Sequence, residues 1–142
     1  MWEGKGANMS IISEVVRVWE FLLTNAVFSC CLLLLSHNEI LQAPYMSPEI
    51  VRNDIFDGYA VDLWALGPIL FLMVTGFRPW ERAITTNEAF IHISNGHLEQ
   101  VVQIWNLVLD PDLLDLLQGM FRRDPRMRLS LEQVREHPWV AN

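Results

Sequence analysis

Lysine is nearly missing from this sequence: the chain has only Lys5, and Lys and Arg together number 10 against 17 Asp and Glu. The formal net charge is therefore −7. A nucleic-acid partner would need a clustered basic surface to neutralise phosphates, so the charge argues against one. An anion or acidic partner would bind where arginines are grouped, with a solvated helix face as the alternative interpretation. The group consists of Arg122, Arg123, Arg126, Arg128 and Arg135.

Cysteine is also scarce, and the 2 cysteines are the adjacent pair Cys30 and Cys31. An adjacent pair in an apolar run makes neither a disulfide framework nor a zinc site. This usage is typical of a reducing compartment, so we expect a cytoplasmic location. Charged residues make up only 19% of the chain and hydrophobic residues 51%, which predicts one globular domain with a buried core.

A full-length transmembrane run is missing as well. The most apolar stretch, residues 21–35, is about fifteen residues long, whereas a helix that crosses a bilayer needs about twenty. A cleaved signal peptide requires a basic start, but the residues before this run mix both charge signs. Three interpretations remain for residues 21–35: a membrane anchor, a helix packed on the domain, or a segment that is no natural folding unit.

Alternating strand patterns and internal repeats are lacking, so the chain is predicted to be mainly α-helical. A helix from about Val61 to Thr75 is apolar nearly all round, which indicates a buried central helix. Gly76 is a plausible residue to end it, and Pro68 inside it predicts a kink. Asp110-Pro111 is a helix start, and Ser130 with Gln133 makes a capping box. The other predicted helices are Asn87 to Ile93, Leu98 to Val108, Asp110 to Phe121, and Ser130 to His137-Pro138.

Short motifs from Gln42 onward follow one another in an order that is more specific than any propensity. They are Ala43-Pro44-Tyr45-Met46-Ser47-Pro48-Glu49, Asp62-Leu63-Trp64-Ala65-Leu66-Gly67, Thr75-Gly76-Phe77-Arg78-Pro79-Trp80, Asp124-Pro125-Arg126-Met127-Arg128-Leu129-Ser130 and His137-Pro138-Trp139. In this order they resemble the A-P-E, D-x-W-S-x-G, L-x-G-x-x-P-F, D-P-x-x-R-x-S/T and closing motifs of a Ser/Thr protein kinase domain, most similar to the calcium/calmodulin-dependent group.

The resemblance implies a fold and a domain division. Residues 42–140 would form a mainly α domain, the helical C-lobe of the kinase fold from the activation-segment end to the last helix. The N-lobe, the catalytic loop and the metal-binding motif would be missing. Residues 1–41 would be a separate N-terminal segment outside the family.

The resemblance also implies roles for single residues. Tyr45, Met46 and Ser47 would belong to the loop that docks protein substrates. Glu49 and Arg128 would form a buried ion pair that ties this loop to the last helices.

Three more residues of the second motif have structural roles under the resemblance. Asp62 would accept backbone N–H bonds from the catalytic loop, with a plain helix N-cap as the alternative. Trp64 is expected to pack in the core, and Gly67 closes the motif.

The residues that perform phosphoryl transfer are not found in these 142 residues. The family phosphorylates protein Ser/Thr hydroxyls with ATP and Mg, and needs a glycine-rich loop, a strand lysine, a catalytic Asp and metal ligands. No histidine precedes Arg-Asp, and the stretch from Gly4 to Met9 lacks the third glycine. Phe56-Asp57-Gly58 has the D-F-G letters in the wrong order and is predicted to be a turn. We therefore expect no catalytic, metal or ATP-binding residue here.

Three functional interpretations follow. The chain is a truncated kinase-family chain that is inactive by itself, a non-catalytic module that binds protein substrates or regulators, or a pseudokinase-like fragment tethered to a membrane through residues 21–35. The module would bind through Tyr45 to Glu49 and Asn87 to Trp105. A missed upstream exon, with intervening sequence translated, would also explain a segment 1–41 that is unlike the rest.

Overall fold

The computed structural model describes Arg17, Phe21 and residues 43–141. Apart from Phe21, the apolar run 21–35 lies outside these residues, as do Lys5 and the cysteine pair, so the predictions made for them stay predictions. Residues 43–141 contain helices and no strand, which confirms the mainly α prediction. The helices are α1 (Pro48–Val51), α2 (Gly58–Thr75), α3 (Glu88–Ser94), α4 (Leu98–Ile104), α5 (Pro111–Met120), a 3-10 helix (Pro125–Met127), α6 (Leu131–Glu136) and α7 (Pro138–Ala141).

The central helix α2 begins earlier than predicted. Its N-cap is Asp57, whose carboxylate accepts the Tyr59 N–H at 2.9 Å. The prediction of a turn at Phe56-Asp57-Gly58 overlooked that this aspartate also starts a helix. Because Asp62 lies inside α2, the interpretation of Asp62 as an N-cap is wrong.

The end of α2 agrees with the prediction. Gly76 adopts a left-handed conformation with φ 77°, and its N–H donates to the Leu72 carbonyl at 2.8 Å. Pro68 is buried inside the helix, and the helix continues past it. An interior proline costs about 3 kcal/mol, so the packing around α2 must outweigh this cost. The kink itself stays a prediction.

The capping residues start the later helices as predicted. The Asn87 side chain accepts the Phe90 N–H at 2.9 Å and begins α3. The Asp110 carboxylate accepts the Asp112 N–H at 2.9 Å and begins α5. Ser130 and Gln133 exchange the two hydrogen bonds of a capping box.

The end of α4 was predicted wrongly. The helix stops at Ile104, before Val108, and Asn106 has a positive φ of 54°. Leu107 and Leu109 follow in a loop, where they still pack against the core. Apolar residues directly after a helix continue its apolar run in the sequence, so the loop looked like more of the helix, which explains the error.

An aromatic cluster fills the centre of the described domain. The Trp80 ring lies 5.4 Å from Trp64, 5.5 Å from Phe90 and 4.8 Å from Phe121, measured between centroids. These residues bring α2, α3, α5 and the loop after α2 together. By length and composition α2 could cross a membrane, but more than half of it is buried among these elements, as in the core helix of a globular domain.

Candidate functional site

The segment 43–47, here called the docking loop, precedes α1 as a series of turns. Tyr45 and Met46 are half-buried, whereas Ser47 has no exposed surface. The Ser47 hydroxyl makes no hydrogen bond to any residue that the structure describes. Tyr45 and Met46 therefore present the loop's accessible side-chain surface, and Ser47 cannot contact a partner without a rearrangement.

Glu49 and Arg128 meet in a buried, two-pronged ion pair directly after the docking loop. The guanidinium nitrogens lie 2.9 and 3.1 Å from the two carboxylate oxygens. The side chain of Arg128 is 1% exposed and that of Glu49 is 3% exposed. Arg128 also donates to the Ala60 carbonyl at 2.8 Å and to the Arg122 carbonyl at 3.2 Å. One arginine thus joins α1, the start of α2 and the segment after α5.

The same guanidinium lies over an aromatic ring. Its central carbon is 4.7 Å from the centroid of Trp64, which is fully buried. A desolvated cation over an indole face gains electrostatic attraction in addition to its hydrogen bonds. Trp64 is therefore part of the ion-pair site as well as of the core.

Trp80 holds the other end of the docking loop, a role that sequence reasoning missed. Its indole N–H donates to the Pro44 carbonyl at 3.0 Å in a buried position. A usable signal existed in the residue type: Trp80 stands at the phenylalanine of the L-x-G-x-x-P-F motif, and tryptophan, unlike phenylalanine, has an N–H that can donate.

Gly67 and Asp62 are both buried in α2. A Cβ on Gly67 would come within 2.5 Å of a ring carbon of Phe121, so glycine lets the end of α5 approach α2 closely. The hydrogen bonds that Asp62 would accept from a catalytic loop stay a prediction.

The C-terminal arginine group does not form one free basic surface. Arg128 binds Glu49, and the exposed Arg126 pairs with Asp124 at 2.8 Å. The hydrogen bonds from Arg126 lower the pKa of Asp124 from 3.8 to about 2. Arg122 and Arg123 are exposed beside these pairs.

The described residues do not fit ATP and magnesium. No group of three or more His, Cys, Asp or Glu in residues 43–141 could hold a metal ion. These residues also include no lysine to bind phosphates. Asp57, the aspartate of the reordered D-F-G letters, is the cap of α2.

Known proteins are similar to most of this chain. Residues 8–140 match the family model of the protein kinase domain. The match begins inside the segment 1–41 that we expected to lie outside the family, so the boundary at Gln42 stays a prediction.

Individual relatives are similar over most of this chain. It is 35% identical over 99 residues to the serine/threonine-protein kinase chk1 of Schizosaccharomyces pombe, which covers 70% of this chain and 19% of that protein. It is 35% identical over 96 residues to the human SNF-related serine/threonine-protein kinase, covering 68% and 12%. It is 34% identical over 110 residues to calcium-dependent protein kinase 14 of Arabidopsis thaliana, covering 74% and 19%. The chain thus spans between 12% and 19% of the length of these relatives.

Proposed function

The chain belongs to the protein kinase domain family, and we propose that residues 43–141 are the protein-docking part of such a domain, which transfers no phosphate on its own. The relatives are named as Ser/Thr protein kinases. ATP-dependent phosphorylation of protein Ser/Thr would therefore be the activity of a longer protein that contains this part. Within that activity, the step that the described residues can support is the binding of a protein substrate.

The observation that carries this proposal is the docking loop held between two buried anchors. Glu49 is fixed by Arg128 on one side, and Pro44 by Trp80 on the other. Tyr45 and Met46 lie between them and are partly accessible. A loop that is ordered before binding loses less conformational entropy on association, so a rigid scaffold with a short accessible loop suits recognition of a peptide segment.

The charge of the chain indicates which probe to use. With a formal net charge of −7, the chain attracts cationic segments over a distance set by the salt concentration. A fluorescein-labelled peptide with one serine flanked by arginines is therefore the first probe.

Binding of this peptide to the full chain tests the docking part of the proposal by fluorescence anisotropy. We expect the double substitution Tyr45→Ala with Met46→Ala to weaken binding at least about tenfold, that is by about 1.4 kcal/mol. Tyr59→Ala is the matched control, because Tyr59 is an exposed tyrosine outside the loop. Equal affinity for the chain with and without the loop substitutions would refute docking through Tyr45 and Met46.

Phosphate transfer is tested separately on the purified chain with Mg-ATP carrying a labelled γ-phosphate and the same peptide. We expect no transfer above that of a blank preparation. If the amount of labelled peptide stays proportional to the amount of chain through successive chromatographic steps, the chain itself transfers phosphate and the claim of inactivity is wrong.

A further inference from the structure

A side-chain hydrogen bond ties the docking loop to the core of the described domain. Among the hydrogen bonds between described residues, the one from the Trp80 indole to the Pro44 carbonyl is the sole bond made by residues 43–46. Backbone bonds between described residues resume at Ser47 and Pro48, whose carbonyls accept within α1. The Trp80 indole therefore holds the chain at Pro44, directly before Tyr45 and Met46.

The indole that donates this bond is itself held firmly. Trp80 is 3% exposed, and the rings of Phe121, Trp64 and Phe90 surround it at 4.8, 5.4 and 5.5 Å. Well-packed aromatic rings in a core keep one rotamer, so the N–H has a fixed direction.

The second anchor rests on the same pair of tryptophans. Arg128, which binds Glu49, lies over the ring of Trp64, and Trp64 stacks on Trp80. Both ends of the docking loop thus contact the stacked tryptophan pair, one directly and one through Arg128. A displacement of this pair would move both ends together.

We propose that Trp80 is a positioning residue for the docking loop: its indole N–H holds the Pro44 carbonyl and thereby sets how Tyr45 and Met46 are presented to a peptide. The role in peptide presentation rests on the proposed function, whereas the control of loop geometry does not. Phenylalanine at this position would keep an aromatic ring in the cluster and remove the donor together with some ring volume.

The chain offers a control in Phe90. Its ring packs edge-on against Trp80 with centroids 5.5 Å apart and has no hydrogen-bond donor. Phe90→Leu and Trp80→Phe therefore both reduce the aromatic cluster, but only Trp80→Phe removes a bond to the loop.

The test is the backbone order parameter from nitrogen-15 NMR relaxation, measured on the full chain and on both variants. In Trp80→Phe we expect the order parameters of Tyr45, Met46 and Ser47 to fall from about 0.85, the rigid range, toward about 0.6, the flexible range. Phe90→Leu should leave these three values unchanged. Order parameters that are unaltered in Trp80→Phe, or that fall equally in both variants, overturn the proposal.

Anisotropy with the arginine-flanked peptide, run on the same samples, separates this proposal from the proposed function. Lower loop order parameters with weaker peptide binding in Trp80→Phe support both. Lower loop order parameters in Trp80→Phe, when the unsubstituted chain binds no peptide, support the positioning of the loop by Trp80 and overturn the docking function. Unchanged peptide affinity despite a loosened loop overturns the role of Trp80 in presentation.

Discussion

Arg128 connects several parts of the described domain through one buried guanidinium. Its guanidinium binds a carboxylate, two carbonyls and the face of an indole, and these groups come from distant parts of the chain. A buried ion pair is not a net source of stability by default, because both charges lose their hydration. It does make the structure intolerant of losing one partner.

We therefore expect Arg128→Met to destabilise the fold by about 3–5 kcal/mol, because it leaves the Glu49 carboxylate buried without its cation. Adding Glu49→Leu to Arg128→Met should recover part of this loss, since no charge is then stranded. Urea unfolding followed by tryptophan fluorescence measures both.

Arg52→Met provides the comparison for this prediction. Arg52 pairs with Asp54 at 2.8 Å, but both side chains are more than 40% exposed. An exposed pair contributes about 0–1 kcal/mol, so this change should be small. If Arg128→Met with Glu49→Leu loses as much stability as the two single changes added together, the stranded charge does not explain the loss in Arg128→Met.

Asp124 carries the residue-scale prediction about pH. The hydrogen bonds from Arg126 hold its folded-state pKa at about 2, below the ordinary value of 3.8. A lowered carboxyl pKa means that the folded state favours the ionised form. The pair's contribution to stability is therefore present above pH 3.8 and is lost as the pH falls toward 2.

Titration of the Asp124 carboxyl carbon by NMR checks this. We expect a midpoint near 2 in the unsubstituted chain and a return toward 3.8 in Arg126→Ala. Arg135→Ala, which removes an exposed arginine that makes no hydrogen bond to Asp124, should leave the midpoint in place. A midpoint that stays near 2 in Arg126→Ala would show that Arg126 does not cause the lowered pKa of Asp124.

At the scale of elements, the close approach of α5 to α2 depends on Gly67. A methyl group there would meet the ring of Phe121, which is fully buried and packed against Trp80. Alanine favours a helix over glycine by about 1 kcal/mol, but overpacking against a held ring costs about 1–3 kcal/mol. We expect the clash to prevail and Gly67→Ala to lower the urea midpoint.

Gly58→Ala is the control within the same helix. A Cβ on Gly58 meets nothing within 4 Å, so we expect no loss of stability and a gain of up to about 1 kcal/mol. If both variants shift the midpoint in the same direction, the contact with Phe121 is not what requires glycine at position 67.

The same elements show what the sequence could and could not predict. Helix starts were predictable at Asn87, Asp110 and Ser130, because a capping side chain bonds to amides only a few residues away. The end of α4 was not, because the loop after Ile104 keeps burying leucines through contacts with distant elements. The bond from Trp80 to Pro44 joins residues 36 positions apart, so only the fold reveals it.

At the scale of the whole molecule, the described domain leaves apolar side chains exposed around one cavity. Phe77, Arg78, Trp105 and Leu107 line this cavity of about 340 Å³, and Ile104 and Val108 are chain neighbours of Trp105 and Leu107 at 76% and 89% exposure. Clustered exposed apolar side chains mark an interaction site or drive self-association. We therefore expect the isolated chain to self-associate through this surface.

The double substitution Ile104→Glu with Val108→Glu should raise the monomer fraction in sedimentation velocity while leaving the urea midpoint nearly unchanged, because exposed positions alter stability by about 0.5 kcal/mol or less. Ile55→Glu with Met127→Glu is the matched control. It adds the same two charges at exposed apolar residues that, unlike Ile104 and Val108, are not chain neighbours of a residue lining this cavity, and Ile55 precedes the opposite end of α2. If the control pair raises the monomer fraction equally, added charge alone explains the effect. If only the first pair does so, the surface around Trp105 is the one that associates, because charge is equal in the two variants and only its position differs.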